Sequence, residues 1–262
     1  MLLNALFTTH IFNIFESMQR IFGFVFAIFA TITLSAQIDK IIDNYPIRNI
    51  GPAAMSGRIT AIAVPRNTAT INFKNTIYIG AASGGVWKST NAGISWNPIF
   101  DDQDIQSIGS IAIDPNNANV IYVGTGEGNP RNSHNSGKGI YKSLDAGKTW
   151  KCIGLEGTKT IHRIVINPLN SNQIYAAAMG SVWGPNEDRG VFKSNDGGQT
   201  WQKVLFTNST TGCAELILDV NNPNKLIANM YDFQRKPYTY RSGGNGSGLY
   251  ISNDGGSNWT KL

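Results

Sequence analysis

The chain has 262 residues, a formal net charge of +5 and only 15% charged residues, with 28 glycines and 10% aromatic residues. A chain of this length can bury a sizeable core, and this glycine and aromatic content is typical of a β-rich fold with many turns. The lysines and arginines are scattered singly, which argues against a nucleic-acid-binding surface.

The first 36 residues have the pattern of a secretory signal region. From Met18, the positively charged Arg20 is followed by an apolar stretch over 21–34 and by small residues before Gln37. The true start can therefore be Met18. A transmembrane anchor is the alternative, but the stretch is shorter than the roughly 20 apolar residues that a spanning helix needs. We expect export to the periplasm, cell surface or medium, with membrane attachment only through an uncleaved signal.

A nine-residue motif recurs along the rest of the chain. KSNDGGQTW at 193–201 returns as ISNDGGSNW and KSLDAGKTW, and in a weaker form as KSTNAGISW. The closing tryptophans are about 50 residues apart, and each motif is preceded by three apolar segments that read as strands. A four-stranded unit with this period is typical of a β-propeller blade.

The predicted strands are apolar at nearly every position, which indicates sheets covered on both faces, as in stacked blades. We therefore predict an all-β propeller of four-stranded antiparallel blades. The blades are placed at 58–106, 107–159, 160–212 and 213–262.

The repeated motif is interpreted as a structural turn between the third and fourth strands of each blade. Its aspartate can accept backbone hydrogen bonds, its glycine supplies a positive φ, and its tryptophan buries a large ring. The same turn in four blades cannot be four active sites. The residues given this structural role are Asn91, Trp96, Asp145, Gly147, Trp150, Asp196, Gly198, Trp201, Asp254, Gly256 and Trp259.

These motifs resemble the Asp-box, or BNR, repeat, S-x-D-x-G-x-x-W. Together with IRNIGPAAMSGRITAIAV at 47–64 and GSVWGPNEDRGVFKS at 180–194, the chain from about residue 45 is similar to secreted bacterial Asp-box propellers. That family is grouped with the sortilin N-terminal propeller and is often labelled glycosyl hydrolase. Sialidases, sortilins, xyloglucan hydrolases and a photosystem II assembly factor also carry the Asp-box.

The chain departs from the enzymes among these families. It lacks the F-R-I-P opening of sialidases, since YPIRNIG has a different order. Xyloglucan-cleaving relatives carry a catalytic aspartate just before a Gly-Gly pair in the first blade, where this chain has Ala82 and Ser83. The resemblance therefore implies the propeller more strongly than it implies hydrolysis.

The N-terminal segment 37–57 contains another predicted strand, YPIRNIG at 45–51, which we expect to pair with a closing blade. The fourth blade already ends with its own fourth strand, SNWTKL. Four blades with a spare strand, or a larger ring with further blades after Leu262, are both possible. We favour the larger ring, because open blade faces would expose apolar surface.

Loops between the second and third strands vary greatly in length, and such variation on one face of a scaffold is where binding residues are expected. The fourth-blade loop at 232–247 interleaves aromatic rings with cations, which suits sugars or an acidic or aromatic partner surface. Packing against the neighbouring blade is an equal alternative. The predicted ligand-binding residues are Arg235, Tyr238, Tyr240, Arg241 and, in the third-blade loop, Trp183. For Trp183, a wedge between blades is the preferred alternative.

Three functions are consistent with this pattern. We favour an exported binding or scaffold propeller that recognises a protein, peptide or glycan. A glycoside hydrolase needs two facing carboxylates, for which Glu127, Asp188 and Asp232 are weak candidates. An assembly-factor-like chaperone is the third. No metal or cofactor is expected: the histidines are isolated, GTGEGN at 124–129 is followed by no helix, and Cys152 and Cys213 are not expected to pair.

Overall fold

The computed structural model describes residues 58–66 and 73–262. The export signal region and the N-terminal strand predicted at 45–51 lie outside these residues. The described part of the chain is built from strands and turns, with a short 3-10 turn at Glu156–Thr158 and no α-helix. Within it, no helix has the length and hydropathy needed to cross a membrane.

The strands form four antiparallel sheets in chain order, which confirms the predicted propeller of four-stranded blades. Blades one and two contain β1 Ile59–Ala63, β2 Ile77–Ala81, β3 Val86–Ser89, β4 Asn97–Pro98, β5 Ile108–Asp114, β6 Asn117–Thr125, β7 Ile140–Ser143 and β8 Lys151–Cys152. Blade three contains β9 Ile161–Ile166, β10 Ile174–Ala178, β11 Gly190–Ser194 and β12 Gln202–Leu205. Blade four contains β13 Thr211–Leu218, β14 Leu226–Lys236, β15 Thr239–Ser242, β16 Gly248–Ser252 and β17 Thr260–Lys261.

The first strand of every blade faces a common axis. Residues of all four first strands line one pocket of about 320 Å³, among them Ile62, Ile111, Ile164 and Leu218. Successive first strands also contact one another, β1 with β5, β5 with β9 and β9 with β13. The blades are therefore arranged around this axis in chain order.

The hydrophobic core lies between the blades, as expected for sheets covered on both faces. One buried cluster joins Tyr78 of blade one to Ile108 of blade two. A second joins Tyr122 to Ile161, and a third joins Tyr175 of blade three to Leu216 of blade four. Cys152 and Cys213 are both unpaired.

The repeated motif closes each hairpin between third and fourth strands. In blade two, the Asp145 Oδ1 atom accepts hydrogen bonds from the Lys148 and Thr149 amides at 3.0 and 2.9 Å and from the Ser143 hydroxyl at 2.7 Å. Gly147 has a φ of 88°, which a residue with a Cβ rarely adopts. In blade one, the Asn91 Oδ1 atom accepts from the Ser95 amide at 2.9 Å in the same way.

The motif tryptophans also link neighbouring blades. The Trp150 indole N–H donates to the Ile99 carbonyl of blade one at 2.6 Å, and the Trp201 indole N–H donates to the Ile153 carbonyl of blade two at 2.9 Å. Trp259 instead donates to Gly256 in its own turn, at 3.1 Å. Two of the turns therefore fasten their blade to the preceding blade as well as closing their own hairpin.

In blades one, two and three, a tyrosine and a lysine on paired strands donate hydrogen bonds to the motif turn of the next blade. We call this pair the Tyr–Lys clip. The Tyr175 hydroxyl and the Lys193 ammonium both donate to the Gly255 carbonyl, at 2.9 and 2.8 Å. Equivalent bonds run to Ala146 and Gly197; the clip residues there are Tyr78 with Lys88 and Tyr122 with Lys142.

The outer face of blade four differs from the corresponding face of the other blades. Ile227 and Ile251 are paired across β14 and β16 where the other blades have the clip residues. Leu249 is 47% exposed, whereas Val191 at the same place in blade three is fully buried. This face is thus apolar, exposed and without the polar clip.

Candidate functional site

The loop face of the propeller, opposite the motif turns, carries the variable connections between second and third strands. We refer to the opposite side as the turn face. The sequence predicts an irregular loop over 232–247, but β14 continues to Lys236 and pairs with β15 as a projecting hairpin. Alternating aromatic and polar residues on both arms favour strands, and a two-residue turn at Pro237 and Tyr238 joins them.

The hairpin lies across the loops of blades three and two. The Arg235 amide donates to the Val182 carbonyl at 2.7 Å, and the Gln234 side chain donates to the Trp183 carbonyl at 2.9 Å. The Arg235 Nε atom donates to the Asn132 side-chain oxygen of blade two at 2.8 Å. The variable loops of blades two, three and four are therefore joined into one surface, which we call the hairpin platform. The sequence predicts these loops but not their contacts with one another.

Aromatic rings are exposed along the hairpin platform. Tyr238 at the tip is 82% exposed, and Tyr240 and Trp183 are 38% and 39% exposed. The Arg235 guanidinium lies over the Tyr240 ring at 5.4 Å, and the Lys236 ammonium lies over the Tyr238 ring at 5.9 Å. The rings and cations of the hairpin thus interleave through cation–π contacts.

A cluster of three hydroxyls lies beside these rings. The Tyr231 hydroxyl is 2.5 Å from that of Tyr240 and 2.7 Å from that of Ser242. Burial raises the pKa of Tyr240 to about 12, and the hydrogen bond with Tyr231 adds to the shift. Tyr240 is therefore protonated at neutral pH, and the cluster can both donate and accept hydrogen bonds.

Arg241 lies at the base of the hairpin, where its side chain is 47% exposed. It donates to the Asp232 carboxylate at 2.8 Å, and Asp232 also accepts from the Thr210 hydroxyl at 3.0 Å. This ion pair ties β15 to the end of the buried part of β14. Arg241 and Asp232, predicted as ligand-binding and as a weak catalytic candidate, are thus engaged with each other.

Trp183 packs between two loops and is also partly exposed. Its ring meets the buried His134 ring of blade two edge-on at 6.3 Å, so it packs between loops. It nevertheless keeps a substantial exposed area. The neighbouring Val182 is fully buried and packs with Met179 and with Phe233 of blade four.

A fully buried arginine, which the sequence reasoning missed, supports the blade-three loop. Arg189 donates to the carbonyls of Met179, Ser181 and Gly184, and its guanidinium lies 4.9 Å from the centre of the Phe233 ring. Burial lowers its pKa to about 10, so it stays charged at neutral pH. The repeat alignment held a signal, because Lys138 also precedes the glycine that opens the third strand in blade two.

The candidate carboxylates have separate surroundings. The Glu127 side chain is fully buried and accepts two hydrogen bonds from Arg58 at 2.8 and 2.5 Å. Asp188 lies against Gly157, at the connection between blades two and three. Within the described residues, no ion pair or hydrogen bond joins Glu127, Asp188 and Asp232 to one another, and no group of histidines, cysteines and carboxylates could hold a metal ion.

Comparison with known proteins agrees with this architecture. A family model described as Sortilin-Vps10 (sortilin, neurotensin receptor 3) matches residues 138–262. A xyloglucanase of a Paenibacillus species is 26% identical over 248 residues, which cover 84% of this chain and 22% of the relative. A xyloglucanase of Acetivibrio thermocellus is 26% identical over 249 residues, covering 82% of this chain and 27% of the relative.

Solved structures show the same fold. The crystal structure of an ancestral GH74 enzyme matches with a TM-score of 0.58 and 26% identity, over 81% of this chain and 25% of the enzyme. The GH74 xyloglucanase of Xanthomonas campestris matches with a TM-score of 0.57 and 16% identity, over 82% of this chain and 31% of the enzyme. The chain therefore spans about a quarter of the length of the relatives it matches.

These matches confirm the resemblance to sortilin-type propellers and to propellers labelled glycosyl hydrolase. The curated relatives among these matches are named xyloglucanases.

Proposed function

We propose that the chain forms part of an exported, glycan-binding β-propeller of the glycoside-hydrolase type, and that the hairpin platform binds the glycan. The observation that carries the proposal is the joining of three variable loops through Arg235, Gln234 and Asn132 into a surface with exposed rings. The xyloglucanase relatives support a polysaccharide as the ligand.

The chemistry of the platform suits sugars. Tyr238 and Trp183 offer flat apolar faces on which a pyranose ring can stack while its hydroxyls stay in water. The hydroxyl cluster of Tyr231, Tyr240 and Ser242 can exchange hydrogen bonds with the sugar hydroxyls. A binding surface of this kind needs no enclosed pocket.

Hydrolysis is the second candidate function, because the relatives are named xyloglucanases. It requires two carboxyl groups about 5 to 9.5 Å apart across the scissile bond. Glu127 is buried against Arg58 and Asp232 is engaged with Arg241, which leaves Asp188 as the least committed of the three. We therefore place glycan binding first for the described residues.

Reducing-sugar release by the full-length protein, with Asp188→Asn as the variant, tests the hydrolytic alternative. Release that Asp188→Asn abolishes would favour hydrolysis with Asp188 in the catalytic pair. Release that the variant leaves unchanged would assign the chemistry to other carboxylates.

We also propose that a further blade covers the apolar outer face of blade four in the working protein. Ile217 and Leu249 on this face are 57% and 47% exposed, and Ile227 with Lys225 lines a shallow pocket there. The mass of the exported product tests this proposal together with signal cleavage. We expect a product that lacks the first 36 residues and exceeds the 28.5 kDa of this chain.

Two alanine variants test the binding site itself. Tyr238→Ala and Trp183→Ala each remove an exposed ring, so we expect each to weaken polysaccharide binding about two- to tenfold, given about 0.5 to 1.5 kcal/mol per aromatic contact. Leu144→Ala is the matched control, because Leu144 is 67% exposed in a motif turn on the turn face. Binding of a polysaccharide that neither ring variant weakens would place the site elsewhere.

A further inference from the structure

The hairpin platform carries cations without carboxylate partners. The four ion pairs among the described residues join Arg58, Lys138, Arg163 and Arg241 to acids, and none of them uses Arg235 or Lys236. Arg131 is a third cation of the platform; it is exposed and directly precedes Asn132, to which Arg235 donates. Asp232 is paired with Arg241, and the blade-three loop adds two carboxylates, Glu187 and Asp188, that are in none of these ion pairs. The platform still has an excess of positive charge, because four of its cations are likewise in none of them: Arg131, Arg189, Arg235 and Lys236.

Arg235 is held in place by its surroundings. The Asn132 oxygen accepts from its Nε atom, the Val182 carbonyl accepts from its amide, and the Tyr240 ring lies under the guanidinium plane. Its two terminal nitrogens donate to no other described residue. A fixed guanidinium with free terminal donors is suited to bind the paired oxygens of a carboxylate or a sulfate.

The same surface distinguishes a sugar chain from an acidic peptide. Beside Arg235 lie the exposed Tyr238 ring and the hydroxyl cluster of Tyr231, Tyr240 and Ser242. A pyranose can stack on the rings and form hydrogen bonds with the hydroxyls. These groups contribute little to the binding of an acidic peptide, which is held mainly by its carboxylates. From this combination we infer that the hairpin platform takes an anionic polysaccharide, one that carries uronate or sulfate groups, in preference to a neutral glucan.

This inference rests on the proposed function and adds the charge of the ligand to it. The experiment measures binding of the full-length protein to polygalacturonate, to a sulfated galactan and to neutral xyloglucan at one ionic strength. We expect an acidic polysaccharide to bind at least about tenfold more tightly than xyloglucan. Comparison of polygalacturonate with the sulfated galactan shows whether carboxylate or sulfate is preferred.

A charge-neutralising variant and a matched control locate the effect. Arg235→Gln with Lys236→Gln is expected to weaken acidic-polysaccharide binding about tenfold, with a smaller salt dependence, and to leave any xyloglucan binding within about twofold. Lys148→Gln with Lys151→Gln removes the same charge at the exposed motif turn of blade two, away from the hairpin platform, and is expected to change nothing. An equal loss in both double variants would mean non-specific attraction and would overturn the inference.

The remaining outcomes separate this inference from the proposed function. If xyloglucan binds as tightly as the acidic polymers and Tyr238→Ala weakens it, the glycan site stands and the inference fails. If polyglutamate binds as tightly as the acidic polysaccharides, the ligand is an acidic polypeptide and the inference fails. If no polysaccharide binds, the proposed function fails with it.

Discussion

Replacing Tyr175 and Lys193, singly and together, measures how the Tyr–Lys clip holds blade three to blade four. Both side chains donate to the buried Gly255 carbonyl, at 2.9 and 2.8 Å. Tyr175→Phe or Lys193→Met removes one donor and leaves the other. We therefore expect each single variant to lower the free energy of unfolding by about 1 kcal/mol, the net value of one hydrogen bond.

The double variant leaves the Gly255 carbonyl buried without either donor. An unsatisfied buried acceptor costs about 1 to 3 kcal/mol beyond the lost bonds. We therefore expect a loss of about 3 to 5 kcal/mol in the double variant, which exceeds the sum of the singles. The Lys193 ammonium also lies 5.5 Å from the centre of the Tyr175 ring, so part of the difference between the double variant and the sum of the single variants comes from that contact.

Equilibrium urea unfolding with unchanged m-values is the assay, and Tyr122→Phe is the control. The Tyr122 hydroxyl is 3.4 Å from the Gly197 carbonyl, a longer and weaker bond, so its loss should cost less than that of Tyr175. If the loss of unfolding free energy in the double variant equals the sum of the two single losses within about 0.5 kcal/mol, the reasoning is refuted. In that case water, and not the clip, satisfies the Gly255 carbonyl.

Two further predictions concern charged groups. Hydrogen bonds from Thr149 hold the pKa of Asp145 at about 2, below the ordinary 3.8, so its stabilisation is present above pH 3.8 and is lost as the pH falls toward 2. Asp145→Asn should make the urea midpoint of unfolding less dependent on pH between 3.8 and 2, because an asparagine, like Asn91 in blade one, makes the same turn without a charge. An unchanged pH dependence of the midpoint would contradict this. Arg58→Met should cost about 3 to 5 kcal/mol by leaving the buried Glu127 carboxylate unpaired. Adding Glu127→Gln should recover part of that loss in the same urea assay, and no recovery would show that packing dominates.

The repeating architecture could be predicted because each blade carries its own local signals. The spacing of the tryptophans, the apolar strands and the Asp-Gly turns specify one four-stranded unit, and stacking of such units covers their apolar faces. The turns around Asp145 and Gly147 depend only on residues within a few positions of one another. Local chemistry of this kind is readable from sequence.

Contacts between blades could not be read in the same way. The Tyr–Lys clip joins residues of one repeat to a carbonyl of the next, so it depends on the relative placement of two sheets. The ion pair of Arg58 with Glu127 and the buried position of Arg189 depend on the same placement. A backbone carbonyl has no sequence signature, so the partner of Tyr175 had no signal to reveal it.

The hairpin platform was predicted in part. The charged and aromatic residues of 232–247 marked the region, but the hairpin formed by β14 and β15 was not expected, because its turn at Pro237 and Tyr238 lacks the Asn-Gly or Asp-Gly signal of a tight hairpin. The pairing decides which side chains are exposed. It brings Arg241 to Asp232, places the half-buried Arg235 against Asn132 and leaves Tyr238 exposed at the tip.

Hydrogen–deuterium exchange of the full-length protein, with and without a saturating oligosaccharide of the polysaccharide that it binds most tightly, tests the central claim most directly. The account predicts slower exchange over the hairpin residues 233–242 and the blade-three loop 180–184, with the motif turns unchanged. Protection confined to the turn face, or protection that spares the hairpin while the oligosaccharide is bound, would contradict the assignment of the hairpin platform as the glycan-binding site.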